Sequence, residues 1–165
     1  MASANPKHRR AARIACVQAL YQMDVAQATS KAVVSEFQNH RFGFNDEADM
    51  VEADEEFFED VVKGVVRTQT DIDADITAFL PEKWPLRRLD LTLRSLLRAA
   101  AYELLWRPDV PALVIIKEYV SIAADFFDGK EPGMVNGILD KIAKKSRAAE
   151  FGLTGPALDI PATED

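Results

Sequence analysis

Apolar residues along this chain recur at spacings of three and four, and no sustained run alternates apolar with polar. Ile14, Val17, Leu20 or Tyr21, and Val25 form one stripe, which predicts a helix from Lys7 to about Ala28. The same stretch is rich in Ala, Arg, Gln and Leu, all strong helix formers. Asn5 is placed to cap it, with Pro6 at the first helical position. Val33, Val34 and Phe37 mark a short second helix after Ser30, ending before Gly43, and residues 44–53 read as a loop. The pairs Phe57 and Phe58, Val61 and Val62, Val65 and Val66 then repeat every four residues. Asp54, Glu55 and Glu56 crowd the start of that helix and Arg67 its end, the polarity that suits the helix dipole. Ile72, Ile76, Phe79 and Leu80 predict a separate fourth helix, closed by Pro81.

Beyond Trp84-Pro85, the longest pattern runs from Leu86 to Trp106 through Leu89, Leu93, Leu96 and Leu97, Ala100 and Ala101, and Leu104 and Leu105. Pro108 and Pro111 end it and open a helix through Val114, Ile115, Tyr119, Ile122 and Phe126. Asp128 to Gly133, with Asp-Gly and Pro-Gly pairs, reads as a turn. A last helix carries Met134, Val135, Ile138, Leu139 and Ile142, with Lys141, Lys144, Lys145 and Arg147 toward its C-terminal end. The expectation is an all-α fold of seven helices with no sheet. Residues 1–6 form a lead-in, residues 7–150 one helical domain, and residues 151–165 a disordered tail.

At 165 residues the chain is long enough to bury a core without covalent staples. Its one cysteine, Cys16, excludes an internal disulfide, sits among apolar residues as a packing thiol, and fits a cytoplasmic setting. No run approaches the roughly 18 apolar residues of a membrane helix, and no apolar segment of signal-peptide type follows the basic start.

Catalytic constellations are missing. The two histidines, His8 and His40, and the single cysteine give no metal quartet. Gly43, Gly64, Gly129 and Gly133 are isolated, so there is no phosphate-binding loop. Ser95 and Ser121 lie in no nucleophile motif. Asp46 to Asp60 holds nine carboxylates and no base, but lacks the spacing of a calcium loop and reads as a solvated acidic stretch. These absences favour a binding protein, without cofactor or metal, over an enzyme.

Charge changes the picture. The chain carries −7 overall, yet residues 1–23 carry +4 from Lys7, Arg9, Arg10 and Arg13, leaving −11 for the rest. A compact cationic cluster on a helix of an otherwise acidic protein points to a polyanion. Arg pairs bidentately with phosphate and stacks on bases. Further along the helix, Tyr21 offers a stacking face and Gln18 an amide for a base edge. Four cations correspond to a salt slope of roughly −3 on a single strand, a weak interaction that calls for short single-stranded RNA and a helping partner. A docking site for an acidic protein surface, on a purely protein-binding helical scaffold, and plain solvated surface are the alternative readings.

Several blocks resemble one known family. Arg10-Ala-Ala-Arg-Ile-Ala-Cys-Val-Gln-Ala-Leu-Tyr21 is similar to the opening helix of the NusB transcription antitermination family. Leu97-Arg-Ala-Ala-Ala-Tyr-Glu-Leu104, followed by Arg107-Pro-Asp-Val-Pro111, resembles its central helix. Ile116-Lys-Glu-Tyr-Val-Ser-Ile-Ala123 and Val135-Asn-Gly-Ile-Leu-Asp-Lys141 resemble the two that close it. The resemblance spans roughly residues 7–145. It implies two stacked helical subdomains and binding of the boxA element of ribosomal RNA operons. It also implies a small-subunit ribosomal protein partner (NusE), other Nus factors and RNA polymerase, and either a monomer or a homodimer. It assigns RNA contact to Arg9, Arg10 and Arg13, with Gln18 and Tyr21, and extends it to Phe127, Lys130 and Asn136 beside the loop before Val135. Arg10→Ala or Arg13→Ala is then expected to weaken RNA binding without unfolding the protein. Ala11 and Asp125 stand where the family commonly carries basic residues, which lowers the RNA affinity expected without the partner. A similar module heads certain RNA cytosine methyltransferases, but no cofactor loop or catalytic cysteine motif accompanies it here.

The remaining blocks are packing positions. Leu97, Tyr102, Leu104, Val135, Ile138 and Leu139 are expected in the core. Arg98 and Glu103 are not at salt-bridge spacing on one helix, so their partners must come from other helices. Gly137 inside a helix costs up to about 1 kcal/mol relative to Ala, which close helix packing would account for.

Overall fold

The structure is a computed structural model that describes residues 5–42 and 52–153. The two ends of the chain and most of the loop from 44 to 53, including the first acids of the acidic stretch, lie outside the described residues. Six α-helices carry the fold: α1 (Pro6–Ala26), α2 (Ser30–His40), α3 (Glu55–Phe79), α4 (Leu91–Trp106), α5 (Ala112–Phe126) and α6 (Glu131–Ser146). Single 3-10 turns occupy Leu86–Arg88 and Ala148–Phe151, and no strand occurs among the described residues. Helices α1, α2 and α3 pack together as one subdomain and α4, α5 and α6 as the other. The two are joined where α4 lies against α1 and α3. Helix α4 is the seam: of its residues from Leu93 to Leu104, all but Arg94 are buried.

Side-chain caps set most of the helix starts. The Asn5 carboxamide accepts from the Lys7 and His8 amides, and Pro6 occupies the first turn. Thr29 caps α2 through the Ala32 amide, and Asp54 caps α3 through Phe57. Asp90 accepts from the Thr92 and Leu93 amides. That cap explains why α4 begins at Leu91 and not at Leu86: the chain before it makes only a 3-10 turn. Pro132 fits the first turn of α6, so this helix starts at Glu131, inside the stretch that reads as a turn.

The expected third and fourth helices are one helix. Helix α3 continues to Phe79, but Thr68 is non-helical (φ −117°, ψ 19°), and its hydroxyl bonds the Gly64 carbonyl at 2.7 Å. This back-bonding to the preceding turn bends helices. The apolar phase therefore breaks at a kink without the chain leaving the helix.

The interhelical partners of the buried charges fall as required. Arg98 on α4 pairs bidentately with Asp73 on α3, at 2.9 Å for both bonds, and lies 3.6 Å from Asp24 on α1. Arg147, just past α6, donates to the carbonyls of Glu103, Leu104, Arg107 and Val110. These lie at the end of α4 and in the turn after it; the Glu103 and Arg107 carbonyls also accept from the Arg107 and Val110 amides. A Cβ on Gly137 would meet nothing within 4 Å, so close packing does not account for that glycine.

Candidate nucleic-acid interface

Helix α1 presents two faces. At about 100° per residue, Lys7, Arg10, Ile14, Gln18, Tyr21 and Val25 fall within about 80° of one another. Arg9 and Arg13 lie on the other side of Arg10, turned about 60–100° from it. That angular difference decides the fate of each guanidinium.

Arg13 is in the core, with 3% of its surface exposed. Its Nε and Nη2 donate to the two carboxylate oxygens of Glu103 at 2.8 and 2.9 Å. Glu103 is fully buried and also accepts from the Tyr119 hydroxyl. Burial by itself would lower the Arg13 pKa. The bidentate bonds to Glu103, and the field of that carboxylate, more than reverse this and hold the guanidinium charged. Burial, followed by the nearby Glu103 charge, pushes the Tyr119 hydroxyl well above its ordinary value. Arg13, expected at the RNA surface, instead faces α4 and α5, where its charge answers Glu103.

Arg9 is half-buried. Its Nε donates to Asp54 at 2.9 Å, and its guanidinium lies 4.3 Å from the centre of the Phe57 ring. Arg13 and Arg107 lie 5.1 and 4.9 Å from the same ring. Phe57 is thus ringed by three guanidinium groups, each matched by a carboxylate: Asp54, Glu103, and Asp60 with Asp109. Asp54 also donates its amide to the His8 carbonyl, tying the starts of α1 and α3 together. Arg9 belongs chiefly to this scaffold.

Arg10 sits at the rim. Its side chain keeps 31% of its surface exposed, with Nη2 at 2.8 Å from Asp125 and Nη1 at 3.4 Å from Glu118. Lys7 is exposed one turn earlier on the same stripe. Gln18 and Tyr21 are exposed on it as well, about 12 and 16 Å beyond Arg10 along the axis. They border an open groove of about 410 Å³, lined also by Gln22, Val25, Arg41 and Phe126. Tyr21, Val25 and Phe126 expose much of their apolar surface there, a floor suited to a flat ring. Gln22 and Arg41 form a polar rim, each bonded to Glu36.

The three downstream residues divide. Phe127 is half-buried against the core, while its neighbour Phe126 lines the groove. Phe126 is the residue that sequence reasoning missed, because the last turn of α5 decides which ring of the pair turns outward. Lys130 is exposed, and its ammonium lies 5.1 Å over the Trp84 ring. Asn136 is exposed on α6. Among the described residues no cluster of three or more His, Cys, Asp or Glu side chains is arranged to hold a metal ion. No helix among them is long and apolar enough to cross a membrane.

The family model described as the NusB family matches residues 10–144. The chain belongs to the NusB family. It is 51% identical over 144 residues to the transcription antitermination protein NusB of Maricaulis maris, covering 87% of this chain and 90% of that protein. It is 50% identical over 147 residues to the NusB protein of Agrobacterium fabrum, covering 88% and 89%. Among solved structures, T. maritima NusB superposes with a TM-score of 0.72 at 30% identity, over 92% of this chain and all of that one. A chain from a crystal structure of antitermination factors NusB and NusE in complex with dsRNA superposes with a TM-score of 0.71. At 22% identity, over 86% of this chain and 99% of that one, it supports the fold alone. The NusB match takes in Arg10, Gln18, Tyr21, Phe126, Lys130 and Asn136 and leaves out Lys7 and Arg9.

Proposed function

We propose that this chain is a transcription antitermination adaptor that binds boxA-like RNA together with the ribosomal protein NusE. It thereby joins the other Nus factors on RNA polymerase, acting in the cytoplasm by binding and without a catalytic step. Relatives at about half identity across most of the chain carry that activity in their names. The observation that carries the RNA part is the α1 stripe. A rim cation, an amide and an aromatic face line up on one exposed side of one rigid helix and end in an apolar groove. Phosphate contacts at Lys7 and Arg10 orient the strand, and a base placed on Tyr21 and Phe126 supplies modest sequence preference. Lys130 and Asn136 extend the contact surface, and Gln18 offers its amide to a base edge.

Fluorescence anisotropy of a short boxA-like RNA, single-stranded or in a duplex, with and without the ribosomal protein, tests this. Stacking on an aromatic side chain is worth about 1–3 kcal/mol per base, so Tyr21→Ala is expected to weaken single-strand binding at least fivefold. Arg10→Ala is expected to flatten the salt slope, by at most about 0.7. RNA affinity and slope unchanged in both variants would overturn the assignment. Equal affinity for scrambled RNA, with the partner present, would remove the sequence preference from it.

A further inference from the structure

Arg9, Arg10 and Arg13 are all paired with carboxylates, but the pairs differ in kind. Asp54 caps α3, and Glu103 anchors Tyr119, so the partners of Arg9 and Arg13 have structural duties of their own. The carboxylates of Asp125 and Glu118, both on α5, have no hydrogen-bond partner other than Arg10 among the described residues. Asp125 stands in the last turn of α5, where a negative charge opposes the helix dipole. Helix stability gives no reason for a carboxylate at that place. Asp125 is 65% exposed and Glu118 28%, so their contact with Arg10 opens without disturbing the core.

Building on the RNA reading above, we propose that Asp125, assisted by Glu118, is an internal competitor for RNA phosphate at Arg10 and so sets the affinity of this interface. The guanidinium edge that a phosphate needs for a bidentate contact includes Nη2, the nitrogen that Asp125 holds at 2.8 Å. Binding must break that bond and leave Asp125 to solvent. Two consequences follow. The affinity is lower than Arg10 alone would give, by up to about fivefold for a pair this exposed. The salt dependence is shallower, because added salt screens the competing Arg10–Asp125 pair as well as the contact with phosphate.

The test is a double-mutant cycle on the full chain, using Asp125→Asn, Arg10→Ala and their combination, with a fluorescent single-stranded boxA-like RNA titrated at several salt concentrations. Asp125→Asn is expected to bind about three- to fivefold tighter at low salt, with a slope steeper by a fraction of the about 0.7 that one phosphate contact carries. In the Arg10→Ala background the gain is expected to shrink below about twofold, since the competed group is gone. Circular dichroism checks that each variant keeps its helix content. Unchanged or weaker binding by Asp125→Asn would overturn the proposal and make Asp125 a residue that positions Arg10. An equal gain with and without Arg10 would overturn it too, leaving only a general field effect. Failure of the unaltered protein to bind RNA, with and without NusE, would remove the RNA reading itself, a result distinct from either.

Discussion

Arg13→Met separates a structural arginine from an RNA-contacting one. The substitution keeps length and apolar stem while removing the charge. It leaves Glu103 with a buried carboxylate whose two oxygens lose their bonds from Arg13 and retain one from Tyr119. Removing one partner of a buried pair costs about 3–5 kcal/mol, because the remaining charge is uncompensated. Domains of this size have about 5–15 kcal/mol in total, so the variant is expected to sit close to the edge of folding. The combination Arg13→Met with Glu103→Leu removes both charges and is expected to recover most of the loss. About 1–3 kcal/mol stays missing, because the Tyr119 hydroxyl is left without its acceptor. Urea unfolding followed by far-UV circular dichroism measures each value. RNA anisotropy, at a temperature where the variant is folded, is expected to change less than about twofold, since Arg13 offers no surface to a phosphate. A stability loss below about 1 kcal/mol, together with an RNA defect as large as that of Arg10→Ala, would refute the reasoning. It would mean that Arg13 leaves Glu103 when RNA binds.

Three further outcomes are expected. Arg147→Ala removes a guanidinium donor from four carbonyls at the end of α4 and beyond it, two of which keep a backbone amide, and should lower the urea midpoint by an amount worth about 2–4 kcal/mol; a loss below about 0.5 would show that water replaces the guanidinium. Gly64→Ala would gain about 1 kcal/mol from helix propensity, but its Cβ would stand 2.2 Å from the Tyr102 ring. Tyr102 is held by Asp60 at 3.0 Å, so overpacking by about 1–3 kcal/mol should win and stability should fall; a rise would refute this. For Asp54, burial acts to raise the pKa, but the Phe57 amide and Arg9 bring it below the ordinary value. The stability it contributes is therefore full above the unfolded value near pH 4 (about 3.9) and is lost as pH falls through the lower folded value. The acid limb of a urea-midpoint profile should be shallower in Asp54→Asn than in the unaltered chain, and identical limbs would count against the Arg9 pair.

Much of the fold can be read from residue spacing, because helix amphipathicity is a local property. The stripe on α1, the paired layers of α3 and the apolar run of α4 all lie where the apolar positions fall. Boundaries were harder, and each miss has a local chemical cause. The Thr68 hydroxyl bends α3 without ending it, and the Asp90 cap starts α4 later than its leucines suggest. The candidate site was legible in part. Gln18 and Tyr21 are exposed on the expected face, and Arg10 is at the rim. Arg13 could not be placed from α1 alone, because its partner lies ninety residues away on α4. The angular position carried a hint, since Arg13 falls between Val17 and Leu20 around the helix, and both are buried. Phe126 and Phe127 are adjacent, and only the last turn of α5 shows which one lines the groove.

On the proposed interface, the cluster of positive charge at the start of the chain therefore offers RNA fewer cations than its residue count. Two of its four cations answer internal carboxylates and support the packing around Phe57. Lys7 and Arg10 remain on the exposed stripe, with Lys130 on the α6 side. Three phosphate contacts correspond to a salt slope of about −2 on a single strand, against roughly −3 for the four cations of α1 alone. Competition from Asp125 at Arg10 lowers that further. Electrostatics of this size cannot hold a short RNA at physiological salt by themselves. On the proposed interface, the stacking surface at Tyr21 and Phe126 and the protein partner then carry most of the affinity. A measured slope near −3 for this chain alone would contradict that division, because it would require Arg9 or Arg13 to abandon its carboxylate for a phosphate.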